Sequence, residues 1–342
     1  MEKKWSVGIL GCGMIAQYHA KAILEIPELC LAGAFDVNEE SRRKFCEMYG
    51  TREFATAEEL MDCPEIDIVC ICLPSGFHFS YAKECLQRRK HVVVEKPMTF
   101  TVAQAEELVA LADNMQVQVA VISHLRYTDG VTQLKGAIAD GCFGRIVTAN
   151  LLMKYYREPE YYRASNWKGT VKMDGGGALM NQGIHGIDLL QYLMGPVVSV
   201  QAYAKTLFHA IEVEDTLSAV VEFENGALGT IQATTSIYPG FPRWLEICGT
   251  DGTAVLREDS IEFCHFREEE KNLVCRPSHF DTGSRPDGMD HRLHKLQWMD
   301  FVQALATGRH PFVDVREGRK TVEIVEAIYR AAKTGEKVTL AR

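Results

Sequence analysis

Short apolar runs alternate with amphipathic segments over the first third of the chain. The runs predict five strands, at Trp5 to Leu10, Leu29 to Phe35, Ile66 to Leu73, His91 to Val94 and Gln116 to Ile122. Helical periodicity fills the segments between them, at Glu39 to Met48, Phe77 to Arg88 and Val102 to Asn114. Alternating helices and continuously apolar strands are typical of a parallel sheet that is covered by helices on both faces.

The pattern changes after residue 123. Helices are predicted at Thr128 to Asp140 and Ala178 to Met194, and a strand is predicted at Arg145 to Tyr156. Further strands follow at Val197 to Tyr203, Leu217 to Phe223, Ala227 to Thr235, Arg243 to Gly249 and Thr253 to Arg257, before two final helices at Leu293 to Thr307 and Arg316 to Thr334. Consecutive strands joined by tight turns predict an antiparallel sheet. We therefore predict an α/β domain over residues 1–123 and an α+β domain over residues 124–342.

The segment Gly11 to Ala16 follows the first predicted strand and leads directly into a helical pattern. Gly11 allows a tight turn, Gly13 lets the backbone approach a pyrophosphate, and the small Ala16 lets helix and strand pack closely. Met14 and Ile15 then lie at the start of the helix, where backbone N–H groups face phosphates. The spacing therefore predicts a dinucleotide site, the alternative being a plain glycine turn in an unrelated α/β unit.

Asp36 stands at the end of the second predicted strand, about twenty residues beyond Ala16. A carboxylate at this position accepts hydrogen bonds from a ribose 2′-OH and repels a 2′-phosphate, so NAD is favoured over NADP. The alternative is that Asp36 only begins the Asp36-Val37-Asn38 turn and caps the helix that begins at Glu39. Arg42 and Arg43 are close enough in sequence to bind a 2′-phosphate in principle.

Other candidate residues follow the later parallel strands, because ligands of such a sheet bind at the carboxyl ends of its strands. Pro74 and Ser75 follow the predicted third long strand, and Glu95-Lys96-Pro97 follows the fourth. The Lys96 ammonium is suited to hydrogen-bond a substrate hydroxyl and to stabilise the alkoxide that develops as hydride leaves. A Glu95-Lys96 pair on a surface loop is the alternative.

A second group of polar residues lies in the long predicted helix of the C-terminal domain. Asn181 and His185 are four residues apart and so share a helix face, and Asp188 lies one turn further on. A neutral imidazole here is suited to take a hydroxyl proton, with a neighbouring group to orient it. The preceding Gly175 to Gly177 would let substrate or nicotinamide approach the backbone. The alternative is a histidine that only packs.

Composition narrows the set of partners. The chain has 342 residues, a net charge of -9 from 37 basic and 46 acidic side chains, and no basic stripe interleaved with aromatic residues, so we expect no nucleic-acid partner. Its 11 cysteines include no CxxC pair, which favours neither a zinc site nor a disulfide framework. No signal segment or membrane span is evident, and we expect a cytoplasmic protein.

Taken in order, these motifs resemble the Gfo/Idh/MocA oxidoreductases over the whole chain. The resemblance rests on Gly11 to Ala16, Asp36, Pro74 to His78, Glu95 to Pro97, Gly175 to Gly177 and the helix with His185 and Asp188, and it extends to Glu214 to Thr216 and Ala327 to Tyr329. It implies an N-terminal Rossmann domain, and a C-terminal domain with a large, open, mainly antiparallel sheet. One side of that sheet would carry the substrate site. The other would form a homodimer or homotetramer.

The resemblance also assigns roles to residues. Lys96 would touch the reacting hydroxyl and His185 would be the general acid/base. The residues along the cofactor would be Pro74, Ser75, His78 and Glu95, and the substrate or nicotinamide contacts would come from Trp167 and Lys168 and, as further candidates, Arg126, Tyr155 and Arg163.

One departure from the family pattern concerns Asn181, where many members have aspartate. An amide orients a hydroxyl but accepts no proton, so Asn181 weakens the case for a carboxylate–histidine relay. Lys96 then becomes the main expected stabiliser of the reacting oxygen, and Asp188 is a candidate partner for His185.

We therefore predict an NAD-dependent enzyme that oxidises a secondary alcohol of a sugar, inositol, glycoside or nucleotide sugar. Two alternatives remain: a glycosidase or lyase in which bound NAD transiently oxidises the sugar, and a non-catalytic NAD-binding sensor.

Overall fold

A computed structural model describes residues 4–165, 167–276 and 291–340. Its first elements are β1 (Trp5–Leu10), α1 (Met14–Leu24), β2 (Leu29–Phe35), α2 (Glu39–Tyr49), β3 (Arg52–Glu53), α3 (Ala57–Asp62), β4 (Ile68–Ile71), α4 (His78–Gln87), β5 (His91–Val94), α5 (Val102–Met115) and β6 (Val119–Val121). There follow α6 (Asp129–Ala139), β7 (Ile146–Lys154), α7 (Pro159–Arg163), α8 (Val171–Asp174), a π-helical turn (Ala178–Gly183), α9 (Ile184–Met194), β8 (Val197–Lys205), β9 (Thr216–Phe223) and β10 (Leu228–Thr234). The last are β11 (Trp244–Gly249), β12 (Gly252–Arg257), β13 (Ser260–Phe266), α10 (Arg292–Thr307), α11 (Val315–Thr334) and β14 (Val338–Thr339).

The chain divides into two compact units. Unit 1 is Met1–His124 with Asp290–Val322, and unit 2 is Leu125–Met289 with Glu323–Arg342. The first border lies within one residue of the predicted one, but the prediction assigned everything after it to the second domain. Residues 290–322 return to unit 1 because Trp298 and Phe301 of α10 are buried in the same apolar cluster as Ile9 and Ala20.

The sheet of unit 1 has six parallel strands in the order β3-β2-β1-β4-β5-β6. Alternate residues of the same strands enter two different apolar clusters. Leu10, Val69 and Val92 belong to one of them, and Ile9 and Ile68 belong to the other. The predicted doubly wound sheet with both faces covered is therefore confirmed. The strand order reverses between β1 and β4, which is where such sheets bind ligands.

The sheet of unit 2 has eight strands in the order β13-β12-β11-β7-β10-β9-β8-β14, all antiparallel to their neighbours except the β7–β10 pair. This confirms the predicted α+β architecture. Helix α9 lies close on one face of the sheet, because a Cβ at Gly186 would come within 2.5 Å of Met153 Sδ. The opposite face is accessible, and Tyr203 and Val220 are more than half exposed there.

Several elements differ from the prediction. The hydrophobic pattern does not predict the short α3, α7 and α8, the short β3 and β14, or the full strand β13. The segment predicted as one helix from Ala178 to Met194 opens with a π-helical turn, and α9 begins only at Ile184. Among the residues that the structure describes, no helix is both long enough and apolar enough to cross a membrane.

Candidate active site

The two glycines of the loop after β1 have different surroundings. Gly11 has a φ of +94°, and a Cβ there would lie 2.6 Å from the carbonyl oxygen of Cys72 in the neighbouring loop. Only glycine fits this position without strain. A Cβ at Gly13 would meet no atom within 4 Å, so Gly13 faces open space at the switch point of the sheet.

Helix α1 begins beside that open space without a side-chain cap. Its N-cap is Gly13, and its first turn contains no acidic residue. In the same unit, Asn38, Thr56 and Thr101 accept backbone N–H hydrogen bonds at the starts of α2, α3 and α5. The first N–H groups of α1 and the positive end of its dipole are therefore suited to bind an anion such as a pyrophosphate.

Asp36 ties this loop to the end of β2. One carboxylate oxygen accepts from the N–H of Cys12 at 2.8 Å, and the other accepts from the N–H of Asn38 at 2.8 Å. The bond from Asn38 confirms that Asp36 begins the turn before α2, but the cap of α2 is Asn38, which accepts from the N–H of Ser41, so the prediction that Asp36 caps this helix is wrong. Arg42 is paired with Glu53 at 2.8 Å and also donates to the carbonyl of Asp36.

His78 joins the loop after β4 to the loop after β5. Its two ring nitrogens lie 2.7 Å from the carbonyl oxygens of Leu73 and Pro97. The ring is buried, and this burial lowers the pKa of His78. Pro74 and Ser75 are half-buried and lie in the turn that His78 holds. The imidazole thus connects two loops of the candidate cofactor site through its two ring nitrogens.

Glu95 is a buried carboxylate that lies just before Lys96. Its Oε1 lies 3.0 Å from His19 Nε2, and its Oε2 accepts from the backbone N–H of Lys96 at 3.2 Å. Burial raises the pKa of Glu95, but His19 and His294 lower it more, so the pKa lies well below its usual range. The carboxylate therefore fixes the backbone from which the half-buried Lys96 side chain projects.

His19 is itself held by a residue distant in sequence. The indole N–H of Trp298 donates to His19 Nδ1 at 2.9 Å. Because an indole N–H can only donate, Nδ1 is the acceptor, and the imidazole proton lies on Nε2, facing Glu95. This network was not predicted from the sequence. Its one signal was a histidine on the buried stripe of α1.

In unit 2, the glycines before the π-helical turn are closed off by protein atoms. Gly175 has a φ of +73° and ends α8. A Cβ at Gly176 would lie 2.3 Å from the Tyr329 hydroxyl, and a Cβ at Gly177 would lie 1.7 Å from the Glu214 carbonyl oxygen. The interpretation that this run admits substrate or nicotinamide to the backbone is therefore wrong at Gly176 and Gly177, where the glycines admit other parts of the chain.

Glu214 and Tyr329 hold this segment by hydrogen bonds. The Glu214 carboxylate accepts from the N–H groups of Gly177 and Leu179, each at 2.9 Å, and from the Tyr329 hydroxyl at 2.9 Å. The same hydroxyl accepts from the N–H of Met180 at 3.1 Å. Burial raises the pKa of Glu214, although these donors lower it.

Asn181 lies in the π-helical turn rather than in α9. A π-helix bonds residue i to i+5, so the four-residue spacing to His185 is not that of one regular α-helical face. The Asn181 amide donates to Asp174 Oδ1 at 2.5 Å, and Asp174 Oδ2 accepts from the N–H of Gly169 at 2.7 Å. Asp174 is almost fully buried. Asp174 thus places a buried carboxylate beside Asn181, whereas in many family members the carboxylate stands at position 181 itself.

His185 is the second residue of α9 and is half-buried. Asp188, the candidate partner of His185, forms a buried bidentate ion pair with Arg126, with N–O distances of 2.9 and 2.7 Å. Arg126 was a candidate for substrate contact, but it is only 2% exposed, and its guanidinium is committed to Asp188. Each of these two charged groups is thus held by the other inside unit 2.

The remaining candidate substrate residues lie between β7 and α8. Tyr155 is buried, and Arg163 is exposed and paired with Glu160 on the same short helix. Trp167 and Lys168 are half-buried. Lys96 thus belongs to unit 1, whereas Asn181 and the other residues of this group belong to unit 2.

Comparisons with known proteins give consistent matches along the chain. Residues 5–123 match a model of an oxidoreductase family with an NAD-binding Rossmann fold, and residues 108–255 match the GFO/IDH/MocA C-terminal domain. The chain is 31% identical to the WlbA dehydrogenase of Bordetella pertussis, solved in complex with NADH and UDP-GlcNAcA, with 100% of this chain and 99% of that chain covered and a TM-score of 0.90. The WlbA dehydrogenase of Chromobacterium violaceum, solved with the same ligands, is 32% identical, with 100% and 97% covered and a TM-score of 0.89. The myo-inositol 2-dehydrogenase of Thermotoga maritima is 23% identical over 348 residues, with 98% of each chain covered.

Proposed function

The chain belongs to the Gfo/Idh/MocA family of oxidoreductases, and we propose that it is an NAD-dependent dehydrogenase. Its substrate would be a secondary alcohol of a sugar, inositol, glycoside or nucleotide sugar. The observation that carries the proposal is that α1 begins without a side-chain cap beside the open space at Gly13, at the switch point of the sheet. Helices α2, α3 and α5 of unit 1 are capped by side chains, and α4 and α10, which are not, begin elsewhere in the unit. Two dehydrogenases more than 30% identical to this chain were solved with NADH.

Asp36 supports NAD over NADP. Its carboxylate is fixed at the end of β2 by two backbone N–H groups, and a fixed negative charge there repels a 2′-phosphate. Of the two arginines that were candidates to attract such a phosphate, Arg42 is paired with Glu53, and Arg43 is exposed.

The residues of the chain divide the chemistry among them. When bound, NAD supplies the acceptor for the hydride that leaves the carbinol carbon. His185 takes the hydroxyl proton on a ring nitrogen, and the Lys96 ammonium stabilises the negative charge that develops on the oxygen. The C–H and O–H bonds of the alcohol are thus broken, and a C=O bond forms.

Asn181 is the third residue assigned to the substrate. Its amide nitrogen donates to Asp174, which fixes the side chain, and Oδ1 accepts from the Gln182 amide at 3.3 Å. An amide oxygen accepts hydrogen bonds, and in this proposal the fixed Asn181 side chain orients a substrate hydroxyl. Asp174 would then supply the orientation that an aspartate at position 181 supplies in other members.

The accessible face of the unit 2 sheet supports a homodimer or homotetramer. Tyr203 is 73% exposed, Val220 55% and Leu228 55%, and the pairing of β8, β9 and β10 puts them on one face. Exposed apolar residues that adjoin in this way mark protein interfaces. Light scattering on the purified protein tests this proposal, and a monomer at micromolar concentration contradicts it.

A spectrophotometric screen for NADH and NADPH formation tests the function. The panel contains inositols, free sugars, glycosides and nucleotide sugars, among them UDP-GlcNAcA, because two relatives were solved with it. We expect NAD to be reduced in preference to NADP with at least one alcohol. His185→Ala and Lys96→Met should each lower kcat by about 100-fold or more. The surface variant His265→Ala is the control and should leave kcat unchanged. Wild-type turnover in both catalytic variants would refute the mechanism.

A further inference from the structure

A lysine of unit 2 lies on two aromatic rings. Lys168 Nζ is 3.8 Å from the centroid of the Tyr161 ring and 5.9 Å from that of the Trp167 ring. We call Tyr161, Trp167 and Lys168 the cationic shelf. All three residues are half-buried. The rings cover one side of the ammonium, and so a partner can approach only from the remaining sides.

The shelf is held in place by hydrogen bonds. The Gln182 amide lies 2.9 Å from the Tyr161 hydroxyl and donates to it, and Arg157 donates to the Gln182 carbonyl oxygen at 2.9 Å. Arg157 is only 4% exposed, so this support lies in the protein interior. The Tyr161 ring is therefore a fixed surface under the lysine.

Among the described residues, no carboxylate forms an ion pair with the Lys168 ammonium. The ammonium also makes no hydrogen bond with any residue in the described part of the chain. Asp174 is the acidic residue that raises the pKa of Lys168, but burial and the charge of Arg157 lower the pKa overall. Both oxygens of Asp174 already accept hydrogen bonds, from Asn181 and from Gly169.

Gln182 connects the shelf to the proposed substrate position. The same amide nitrogen that bonds to Tyr161 also bonds to Asn181 Oδ1 at 3.3 Å. Tyr161, which lies under Lys168, and Asn181, which is assigned to the substrate, are thus bonded to the same Gln182 amide.

We propose that Lys168 binds an anionic group of the substrate, a carboxylate or a phosphate, and so makes the enzyme selective for acidic carbohydrates. This inference rests on the proposed function, because that function assigns Asn181 to the substrate. An anion accepts a hydrogen bond from the half-buried ammonium and also balances its charge, whereas a hydroxyl of a neutral sugar accepts the hydrogen bond but leaves the charge unbalanced.

Calorimetric titration of the full chain in saturating NADH measures the binding without turnover. The ligands are UDP-GlcNAcA, with a carboxylate and a pyrophosphate; UDP-GlcNAc, with the pyrophosphate alone; D-glucuronate, with the carboxylate alone; and D-glucose as the neutral reference. We expect Lys168→Met to weaken at least one class of anionic ligand at least tenfold and to change glucose binding less than twofold. The class of ligand affected identifies the group bound.

Two variants control the experiment. Lys168→Arg keeps the charge and should retain most of the preference, and Lys172→Met removes an exposed positive charge nearby and should change no affinity by more than twofold. A wild type that binds neutral and anionic ligands equally, or a Lys168→Met variant that weakens all ligands equally, would overturn the inference. Should no alcohol be oxidised in the activity screen, the proposed function fails, and the titration still decides whether Lys168 binds an anion.

Discussion

Two glycine-rich segments of this protein look alike in sequence and differ in use. Gly13 is the N-cap of α1, and Gly177 is the N-cap of the π-helical turn, and neither helix start is capped by a side chain of the N-cap residue. A Cβ at Gly13 would enter open space, whereas a Cβ at Gly177 would collide with the Glu214 backbone. A glycine before a helix therefore indicates a ligand site only where the missing side chain leaves space that the protein does not fill.

The backbone N–H groups at the two positions show the same contrast. At the second segment, the Glu214 carboxylate accepts from Gly177 and Leu179, so the chain supplies its own anion. No acidic residue of the first turn plays that part in α1. A helix start whose N–H groups lack such a partner is suited to a bound phosphate.

Gly177→Ala should have the largest effect. The new methyl group would overlap a backbone carbonyl, which cannot move aside as a flexible side chain can. We expect the free energy of unfolding to fall by at least about 3 kcal/mol, or folded protein to be lost. Denaturant unfolding measures the change. The control is Gly136→Ala inside α6, where a Cβ meets nothing within 4 Å and where alanine should stabilise by about 0.5–1 kcal/mol. A loss below about 1 kcal/mol for Gly177→Ala would contradict the packing role.

Gly13→Ala should show the opposite behaviour, with a normal fold and weak cofactor binding. We expect the free energy of unfolding to stay within about 1 kcal/mol of the wild type. The affinity for NADH should fall at least about tenfold, because the methyl group would occupy the space next to the α1 N-terminus. Fluorescence titration with NADH measures this, and Gly136→Ala again serves as control. If NADH binds Gly13→Ala as tightly as wild type, the pyrophosphate does not lie at this loop.

Tyr329→Phe tests the hydrogen bonds that hold the glycine segment at Gly177. The variant removes the hydroxyl that donates to Glu214 and accepts from the N–H of Met180, and we expect a loss of about 2 kcal/mol. The Tyr329 hydrogen bond lowers the pKa of Glu214 and so stabilises its ionised form. The loss should therefore be larger above the pKa of Glu214 than below it.

The matched control is Tyr49→Phe. The Tyr49 hydroxyl is buried and has no hydrogen-bond partner among the described residues, so its removal should be neutral or stabilising. Equal losses for the two variants at all pH values would argue against a specific role of Tyr329.

Asp36→Ser should have the smallest effect, on cofactor choice. The ratio of kcat/KM with NAD to kcat/KM with NADP should fall about tenfold, because serine removes the charge that repels a 2′-phosphate. Initial rates with the two cofactors measure the ratio. Glu40→Ser, on the exposed face of α2, removes a nearby charge that is paired with Lys44 and should leave the ratio unchanged. A wild-type enzyme that already prefers NADP would show the interpretation of Asp36 to be wrong.

Much of unit 1 could be predicted from local signals. The five apolar runs coincide with β1, β2, β4, β5 and β6, because strands buried on both faces must be apolar at nearly every position. Strand β3 was not predicted, because its two residues are both exposed and charged and so form no apolar run. In unit 2, the hydrophobic pattern of Ala178 to Met194 did not distinguish a π-helical turn from an α-helix, because the turn is set by the contacts of Glu214 and Tyr329.

The hydrogen-bond partners of the site residues could not be predicted from sequence spacing, because they are far apart in the chain. Trp298 bonds to His19 across 279 positions, and Tyr329 bonds to Glu214 across 115. Asp174 was visible next to the glycine run, but its contact with Asn181 depends on the left-handed turn at Gly175, which redirects the chain between them.

By itself, the sequence determined the parallel sheet, the loop from Gly11 to Ala16 and the position of Lys96 at the end of a strand. These follow from periodicity and local backbone geometry, which depend on residues near in sequence. Only the tertiary structure decided that Gly13 faces open space while Gly177 is filled, that His19 and Trp298 support Glu95, and that Asp174 orients Asn181. These facts depend on which distant groups meet in the folded chain, because burial and hydrogen-bond partners are properties of the packed structure.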